Sequence, residues 1–408
     1  MKYGKLLDRF LRYVRVDTQS DPRSETIPST EKQKNLGKIL VEELKSMGLE
    51  AEMDQYGYVY ASLPSNTDSK YKIGLIAHMD TSPDVSGANV NPIVHENYDG
   101  KDIVLKEGVV IRVEENPDLK EKVGETIITT DGTTLLGADD KAGIAEIITA
   151  VEYLLSHPEI PRPEIKIAFT PDEEIGRGTV KFDLKKFGAD FAYTVDGGAL
   201  GEIEDETFSA DAGKITIKGV NVHPGYAKGK LVNAIKIASD IVSRLPRFTL
   251  SPETTEGKEG YLHPTDIRGN VERAEVEFIF RAFEVEELKE IEELLKKIIE
   301  VVRKDYPRAE ISLEIKEQYR NMKYKLQEEP RVVDLAIRAA KEVGIEPRRT
   351  SIRGGTDGAM LSYKGLLTPN LFTGGHNFHS RQEWISLQDM EKAVDLLIKL
   401  MQLWSSEK

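Results

Sequence analysis

Three short apolar segments in the first half of the chain each lead into acidic or histidine residues. They are YKIGLIAHMD at 71–80, EIKIAF at 164–169 and DFAYTVDGG at 190–198. Apolar runs of this length are typical of buried strands. The helical pattern KAGIAEIITAVEYLLSH at 141–157 lies between the first two segments. Strands that alternate with helices predict an α/β fold, with a mixed, largely parallel sheet flanked by helices.

The pattern changes at about residue 209. A strand, a helix, two strands, a long amphipathic helix and a final strand follow, up to about residue 320. This β-α-β-β-α-β order predicts a compact ferredoxin-like α+β unit. Because α/β character resumes afterwards, we expect a discontinuous main domain over 1–208 and 321–408. The segment 209–320 is then an inserted lid or dimerisation domain, and its exposed strand edge offers a homodimer contact.

Composition excludes several kinds of site and partner. The chain has no cysteine, so disulfides, thiolate metal ligands and cysteine nucleophiles are all excluded. Its 56 Lys and Arg residues against 70 Asp and Glu residues give a net charge of −14. This balance disfavours nucleic acid and anionic membranes as partners. The sequence contains neither a signal-peptide pattern nor an apolar run long enough for a membrane span, which favours a cytoplasmic protein.

The acids and histidines at the predicted strand ends are expected to lie close together. In an open α/β sheet, ligands bind outside the carboxyl ends of the strands. The residues concerned are His78, Asp140, Glu174 and Asp196. Asp140 lies in the glycine-flanked segment LLGADDKAG, where the plain alternative is an acid at a helix N-terminus. His376 and His379 in GGHNFHS are loop histidines, and we expect one of them to reach the same place.

Carboxylates and neutral imidazoles without thiolates suit Zn²⁺ or another borderline divalent ion. Two such ions, about 3.5–4 Å apart, would polarise a carbonyl and lower the pKa of a water between them. Glu173 and Glu174 are adjacent in TPDEEIG, so one can bind metal while the other accepts a proton. The spacing alone does not decide which of the two binds metal and which accepts the proton. The plain alternative for this acidic triplet is a solvated turn, and for Asp172 we expect no more than that.

Asp80 follows His78 by two residues in the same predicted strand. Residues i and i+2 of a strand point to the same face. A carboxylate beside a metal-binding imidazole commonly fixes its tautomer and orientation. His78 is therefore a candidate ligand, and Asp80 a candidate partner of its second ring nitrogen.

Seven motifs together carry a family resemblance. In chain order they are GLIAHMDTSPD, GADDKAG, PDEEIGRG, VDGG, HPGYAKGKLVNA, RGGTDGA and GGHNFHS. The set resembles the superfamily of co-catalytic zinc exopeptidases and amidohydrolases, over essentially the whole chain. HMDTSPDVSGANVNP is similar to its aminotripeptidase branch. The resemblance implies an exopeptidase that releases the N-terminal residue of short peptides, with two Zn²⁺ ions per chain that Co²⁺ or Mn²⁺ can replace.

The resemblance also implies roles for single residues. His78 and Asp196 match the ligands of one ion, and Glu174 and His379 match those of the other. Asp140 matches the carboxylate that bridges both ions, next to a peptide bond that is typically cis in the family.

Glu173 matches the general base that acts on a water between the ions, and Asp80 matches the residue that orients the first histidine. His223, in NVHPG, resembles a histidine that stabilises the developing oxyanion, in several relatives across a dimer interface. The alternative for His223 is a turn residue before Pro224.

Arg353, in RGGTDGA, resembles an arginine that holds the substrate's carboxylate, for which a planar guanidinium is suited. Asn233 and Arg281 are further candidates for substrate contacts, and His376 receives no role.

Three other functions are alternatives to a tripeptide exopeptidase. The same fold and metals also suit a di-zinc amidohydrolase or dipeptidase that acts on N-acyl amino acids or dipeptides. A non-catalytic protein that holds a structural ion is a different class, but a structural site has no use for a second acid at Glu173. A phosphate-handling enzyme is disfavoured because the G-x-x-x-x-G-K-[ST] loop is missing.

Overall fold

The structure is a computed structural model, and it describes residues 2–407. The chain divides into two compact units. Unit 1 consists of Met1–Asp205, Met322–Thr350 and Thr356–Lys408, and unit 2 consists of Glu206–Asn321 and Ser351–Gly355. The insertion predicted from the sequence, 209–320, does not include the short segment 351–355. Residues 1 and 408, at the ends of the predicted main domain, lie outside the described part of the chain.

The described residues form eighteen strands and eleven α-helices. The strands are β1 (Glu50–Met53), β2 (Val59–Leu63), β3 (Lys72–His78), β4 (Ile93–His95), β5 (Ile103–Val104), β6 (Val110–Ile111), β7 (Ile127–Thr129), β8 (Glu164–Thr170), β9 (Phe191–Gly197), β10 (Glu202–Thr207), β11 (Ser209–Lys218), β12 (Tyr261–Gly269), β13 (Arg273–Ala282), β14 (Glu310–Tyr319), β15 (Arg348–Ile352), β16 (Asn370–Phe372), β17 (Gly375–His376) and β18 (Trp384–Ser386). The α-helices are α1 (Leu6–Val14), α2 (Gln33–Ser46), α3 (Pro117–Lys120), α4 (Ala138–Ser156), α5 (Leu184–Phe187), α6 (Ala234–Ser243), α7 (Val285–Asp305), α8 (Lys323–Leu326), α9 (Arg331–Glu342), α10 (Asp357–Tyr363) and α11 (Leu387–Trp404).

A large mixed sheet forms the centre of unit 1, with the strand order β1-β2-β8-β3-β9-β16-β10-β15. Its central strands β8, β3, β9 and β16 are parallel, whereas β1, β2 and β10 pair antiparallel with their neighbours. Helices flank the sheet. Helix α4 packs on β3 and β9, while residues of α5 and α10 join Ile76 of β3 in a buried apolar cluster. The predicted α/β fold is confirmed.

Unit 2 contains a four-stranded antiparallel sheet in the order β12-β13-β11-β14, with helices α6 and α7 packed on it. Along β13, buried residues alternate with more exposed ones, which is the pattern of a sheet with one covered face. Its buried residues Val276, Phe278 and Phe280 share one apolar core with Ile237 of α6 and Leu295 of α7.

The strand register explains how distant parts of the sequence meet. In the parallel pair of β3 and β8, Lys72 lies opposite Glu164 and His78 lies opposite Thr170, so both strands end at the same level. The residues that follow them therefore leave the sheet side by side. Among residues 2–407, no helix is both long and apolar enough to cross a membrane.

Candidate metal centre

Two histidines and three acids from five separate segments lie together at the carboxyl ends of β3, β8 and β9. His78 Nε2 lies 2.8 Å from Asp139 Oδ1 and 3.4 Å from Asp196 Oδ1. His379 Nε2 lies 2.8 Å from Glu174 Oε2 and 3.2 Å from Asp139 Oδ2. The two imidazoles are thus each placed between two carboxylates, and both groups share the carboxylate of Asp139.

The shared carboxylate corrects the prediction made for Asp140. Asp139 and Asp140 both have non-helical backbone angles at the start of α4, and the peptide bond between them is cis. As a result their side chains diverge, and only that of Asp139 lies between the histidines. Asp140 is fully buried, and its Oδ2 accepts a hydrogen bond from the backbone N–H of His78 at 3.1 Å. Asp140 therefore supports the end of β3 from behind the cluster.

Asp80 contacts both His78 and the turn that carries the two glutamates. His78 Nδ1 lies 3.0 Å from the backbone oxygen of Asp80 and 3.3 Å from its Oδ1. Because Nδ1 faces two acceptors it donates a proton to them, so in the neutral ring Nε2 is the nitrogen available to bind a cation. The carboxylate of Asp80 also accepts the backbone N–H groups of Glu173 at 2.9 Å and Glu174 at 3.2 Å. The sequence suggested the first of these contacts and gave no sign of the second.

Glu173 and Glu174 lie in a short 3-10 turn after β8, and their side chains reach different parts of the cluster. Glu174 contacts His379. Glu173 Oε2 lies 3.9 Å from His78 Nε2. Ligand-type atoms of Glu173, His78 and Asp196 all lie within 4.8 Å of one another. Glu173 is therefore on the side of His78 and Asp196, and Glu174 is on the side of His379.

The first acid of the triplet, Asp172, has a defined structural role. It has a left-handed backbone (φ 58°) and is fully buried. Its carboxylate accepts the backbone N–H of Ser29 at 2.7 Å, the hydroxyl of Ser29 at 2.5 Å and the side-chain amide of Gln33 at 2.7 Å. These bonds tie the glutamate turn to Ser29, before α2, and to Gln33, the first residue of α2, so Asp172 is more than the solvated turn residue expected from the sequence.

Burial dominates the electrostatics of the acids. It raises the pKa of Glu174 to about 8 and that of Asp196 to about 6. It also raises the pKa of Glu173 well above its usual range, and the charges of Asp196 and other nearby acids add to the shift. Burial would raise the pKa of Asp139 as well, but hydrogen bonds from His379 and His78 bring it below its ordinary value.

The histidines respond in the opposite direction. Hydrogen bonds to Asp139 and Glu174 raise the pKa of His379 to about 11. For His78, burial lowers the pKa, but the surrounding acids outweigh this effect and raise it well above the ordinary value. Both shifts show that the cluster concentrates negative charge at a place where positive charge is favoured.

The residues present fit divalent cations. The donor atoms are imidazole nitrogens and carboxylate oxygens without thiolates, a set that suits Zn²⁺ and similar ions. Ligand-type atoms of His78, Asp139 and Glu174 lie within 4.8 Å of one another. Glu174 Oε1 is buried without a hydrogen-bond partner among the described residues. Such an atom is costly unless a cation or a proton donor approaches it.

The four predicted substrate contacts all belong to unit 2. His223 is exposed and precedes a short 3-10 turn, and its Nδ1 accepts the N–H of Gly225 at 3.1 Å. Its proton therefore lies on Nε2, which is free of this turn. Asn233 caps α6, accepting the N–H groups of Ile235 at 2.9 Å and Lys236 at 3.3 Å. For His223 and Asn233, the substrate roles stay predictions.

The two arginines are also engaged inside unit 2. Arg353 Nη1 donates to the backbone oxygens of Gly257 at 2.8 Å and Glu259 at 3.0 Å. Arg281 Nη1 donates to the backbone oxygen of Phe280 at 2.9 Å, and its guanidinium lies over the ring of Tyr319. In this conformation Arg353 holds a loop, and its predicted grip on a substrate carboxylate requires those bonds to be exchanged.

His376 lies outside the groups of residues described above. Its ring stacks on Trp384, with the ring centres 4.0 Å apart and the planes 8° from parallel. Burial lowers its pKa to about 4. The neutral, stacked ring is a packing element, which accounts for a histidine that received no role from the sequence.

Known proteins share this fold and much of this sequence. The family model for a peptidase dimerisation domain of the M20 peptidases matches residues 206–310. Among solved structures, the chain resembles aminopeptidase PepT from Bacillus cereus, with a TM-score of 0.76, 23% identity and 99% of each chain covered. It also resembles a tripeptidase from Staphylococcus aureus, with a TM-score of 0.77, 22% identity and 99% of each chain covered. The fold and the cluster together define a metal-binding peptidase of the M20 class.

Sequence relatives make the assignment more specific. The chain is 54% identical to peptidase T of Halothermothrix orenii over 408 residues, which cover 99% of this chain and 100% of the relative. It is 52% identical to peptidase T of Caldanaerobacter subterraneus subsp. tengcongensis, with the same coverage. The chain belongs to the peptidase T family. The resemblance drawn from the seven sequence motifs is thereby confirmed.

Proposed function

We propose that this chain is a metal-dependent exopeptidase that releases the N-terminal residue of short peptides, tripeptides above all. The observation that carries the proposal is the pair of imidazole–carboxylate groups joined by Asp139. Membership of the peptidase T family supports the substrate class.

The residues divide into two ligand sets with one member in common. His78 and Asp196 would hold one Zn²⁺ ion, and Glu174 and His379 would hold the other, with Asp139 between them. Ions bound there supply Lewis-acid polarisation of the scissile carbonyl and a water of lowered pKa. Because each set contains a neutral nitrogen donor and carboxylates, Co²⁺ or Mn²⁺ would fit as well.

Glu173 is the residue to which we assign the proton transfer. It borders His78 and Asp196, and we assign metal binding on that side to His78, Asp196 and Asp139, which leaves Glu173 for the proton. In hydrolysis, its carboxylate would accept a proton as water attacks the carbonyl carbon. It would return that proton to the amine nitrogen as the C–N bond breaks. Neighbouring positive charge favours the ionised carboxylate that this step requires. Asp80 would keep the base in place through the backbone N–H of Glu173.

The substrate's ends would be recognised outside these ligand sets. The exposed His223 presents an Nε2–H donor, which suits a developing oxyanion. Arg353 offers a guanidinium for the terminal carboxylate, once released from Gly257 and Glu259. Unit 2 would also supply the contact of a homodimer, which the match to a peptidase dimerisation domain supports. The cytoplasmic location expected from the sequence stays a prediction.

The decisive experiment combines metal analysis with a substrate panel. Protein stripped with a chelator and reloaded with Zn²⁺, Co²⁺ or Mn²⁺ is assayed on tripeptides, dipeptides and N-acyl amino acids at equal concentration. We expect two ions per chain and the highest kcat/KM for tripeptides. Glu173→Gln should keep both ions and lose about 10²–10⁴-fold in kcat, the usual contribution of a general base.

A matched control separates the base from a general effect of removing a carboxylate. Glu52 is exposed on β1 and pairs with Lys186, so Glu52→Gln should leave kcat unchanged. Preference for N-acyl amino acids or dipeptides would transfer the assignment to those substrates. A chain that binds two ions and hydrolyses no amide substrate would refute the enzymatic proposal and indicate a structural site.

A further inference from the structure

Glu383 is a buried acid that no sequence motif singled out. It lies immediately before β18 and four residues after His379, with only 1% of its surface exposed. A buried carboxylate is unfavourable unless hydrogen bonds or opposite charges compensate for its lost hydration. The partners of Glu383 therefore indicate why the fold retains it.

These partners are three backbone N–H groups of one turn. Glu383 Oε2 accepts the N–H of Leu136 at 2.7 Å and that of Gly137 at 2.8 Å, and Oε1 accepts the N–H of Asp139 at 3.1 Å. The turn leads into α4, whose N-cap residue is Gly137. A glycine has no side chain to cap the helix, so these N–H groups would otherwise lack partners in a buried place.

We propose that Glu383 is a positioning residue of the metal centre, which locks the turn carrying Asp139 to the segment carrying His379. The inference rests on the proposed function, because it concerns the two residues assigned to the same ion. His379 and Glu383 belong to one segment of the chain, and Asp139 is bonded to Glu383 through its own backbone N–H. The separation between Asp139 and His379 is thereby set by the scaffold before any ion arrives.

A carboxylate suits this position better than an amide. Its two oxygens offer about four acceptor sites and no donor, which matches three converging N–H groups. A glutamine has one acceptor oxygen, and its NH₂ group would face at least one of those N–H groups. Glu383→Gln therefore keeps the volume of the side chain and disturbs its hydrogen bonds to the turn. Glu383→Ala removes those hydrogen bonds completely.

The test is a metal titration of chelator-stripped protein with Mn²⁺ by calorimetry. Wild type should bind two ions. In Glu383→Gln, one of the two should bind about 10–100-fold more weakly, the range typical of groups that orient metal ligands. At a Mn²⁺ concentration that saturates the weakened site, KM for a tripeptide should stay within twofold of wild type, and kcat should recover most of its loss. In Glu383→Ala, the affinity for the weakened ion should fall further than in Glu383→Gln.

Glu146→Gln is the matched control, because Glu146 is likewise fully buried but makes no hydrogen bond among the described residues. It should bind both ions with wild-type affinity. A purely structural role for Glu383 would lower the melting temperature of the metal-free protein and leave both affinities unchanged, and that result overturns the proposal.

A second measurement needs no variant. In metal-free wild-type protein, hydrogen exchange should find the amides of Leu136, Gly137 and Asp139 protected, since they are already bonded to Glu383. Free exchange of these amides before metal addition would also overturn the proposal. If wild type itself bound no pair of ions, the failure would lie with the proposed function instead.

Discussion

Replacing Asp172 by alanine should reduce both stability and turnover, because this side chain holds the turn that carries Glu173 and Glu174. The carboxylate is fully buried and accepts three hydrogen bonds from Ser29 and Gln33. The backbone N–H of Asp172 donates in return to Gln33 Oε1 at 3.1 Å. The substitution would therefore remove the side-chain bonds of the turn to Ser29 and Gln33 and leave their buried donors without this acceptor, and only the backbone bond to Gln33 would remain.

The expected loss of stability can be estimated from the hydrogen bonds that each donor keeps in the variant. The N–H of Ser29 loses its partner, which costs about 1–3 kcal/mol in a buried place. The amide of Gln33 remains 3.3 Å from Ser29 Oγ and 3.2 Å from Thr30 Oγ1, so its loss is smaller. Alanine also tolerates the left-handed backbone of residue 172 poorly, at about 1–2 kcal/mol. Together we expect the free energy of unfolding to fall by about 2–5 kcal/mol.

Asp172→Asn tests the same reasoning with less strain, because asparagine accepts the left-handed conformation and keeps one oxygen. Its loss in the free energy of unfolding should be about half that of alanine, since only part of the hydrogen bonding is removed. For both variants we expect kcat to fall about 10–100-fold, as for other residues that orient metal ligands.

Urea unfolding and steady-state hydrolysis of a tripeptide measure the two effects. Asp183→Ala is the control: Asp183 is exposed and caps α5 by accepting the N–H groups of Lys185 and Lys186. Its loss should cost about 1 kcal/mol and leave kcat unchanged. An Asp172→Ala protein with wild-type kcat, or with a free energy of unfolding within about 1 kcal/mol of wild type, would refute the reasoning, since the estimate starts at about twice that value.

Two further predictions concern acids near the start of α4. Asp139→Asn should reduce the metal content below two ions per chain, whereas Asp140→Asn should retain both ions, because only Asp139 lies between the histidines; elemental analysis after dialysis distinguishes them. Burial raises the pKa of Glu146 well above its ordinary value of 4.5. As pH rises, the folded protein therefore keeps this proton at pH values where the unfolded chain has already lost it. Wild type therefore loses stability as pH rises from about 4.5 towards the folded-state pKa. Relative to wild type, Glu146→Met should accordingly gain stability between pH 4 and pH 8, by about 1.4 kcal/mol per unit of that shift spanned; an advantage that is the same at both pH values in thermal unfolding contradicts this account.

The sequence was informative where regular structure determines geometry. Parallel strands that end at one level bring their following residues together, so apolar runs ending in His78, Glu174 and Asp196 were enough to predict a common site. The register of β3 with β8, in which His78 lies opposite Thr170, supplies the physical reason. The β-α-β-β-α-β order could likewise be predicted, because each element of unit 2 has its own pattern of apolar residues.

The sequence was less informative where a residue's partners lie far away in the chain. Nothing local marks Glu383 as the acceptor for the turn before α4, because its three donors precede it by more than two hundred residues. The segment 351–355 belongs to unit 2 although it follows the apparent end of the insertion. This placement gives Arg353 its contacts with the loop at 255–259.

Adjacent acids are the hardest case, and the two pairs of this chain show why. In irregular backbone, the direction of a side chain depends on the dihedral angles of that residue, which no periodicity predicts. Asp139 points into the cluster, while Asp140 turns back to accept the N–H of His78. Glu174 meets His379, while Glu173 faces the other histidine. Because every member of both pairs lies in or beside the cluster, we expect substitution of any of them to lower activity, so loss of activity cannot rank them. Metal content can distinguish the members of each pair, since we expect it to fall only when Asp139 or Glu174 is replaced.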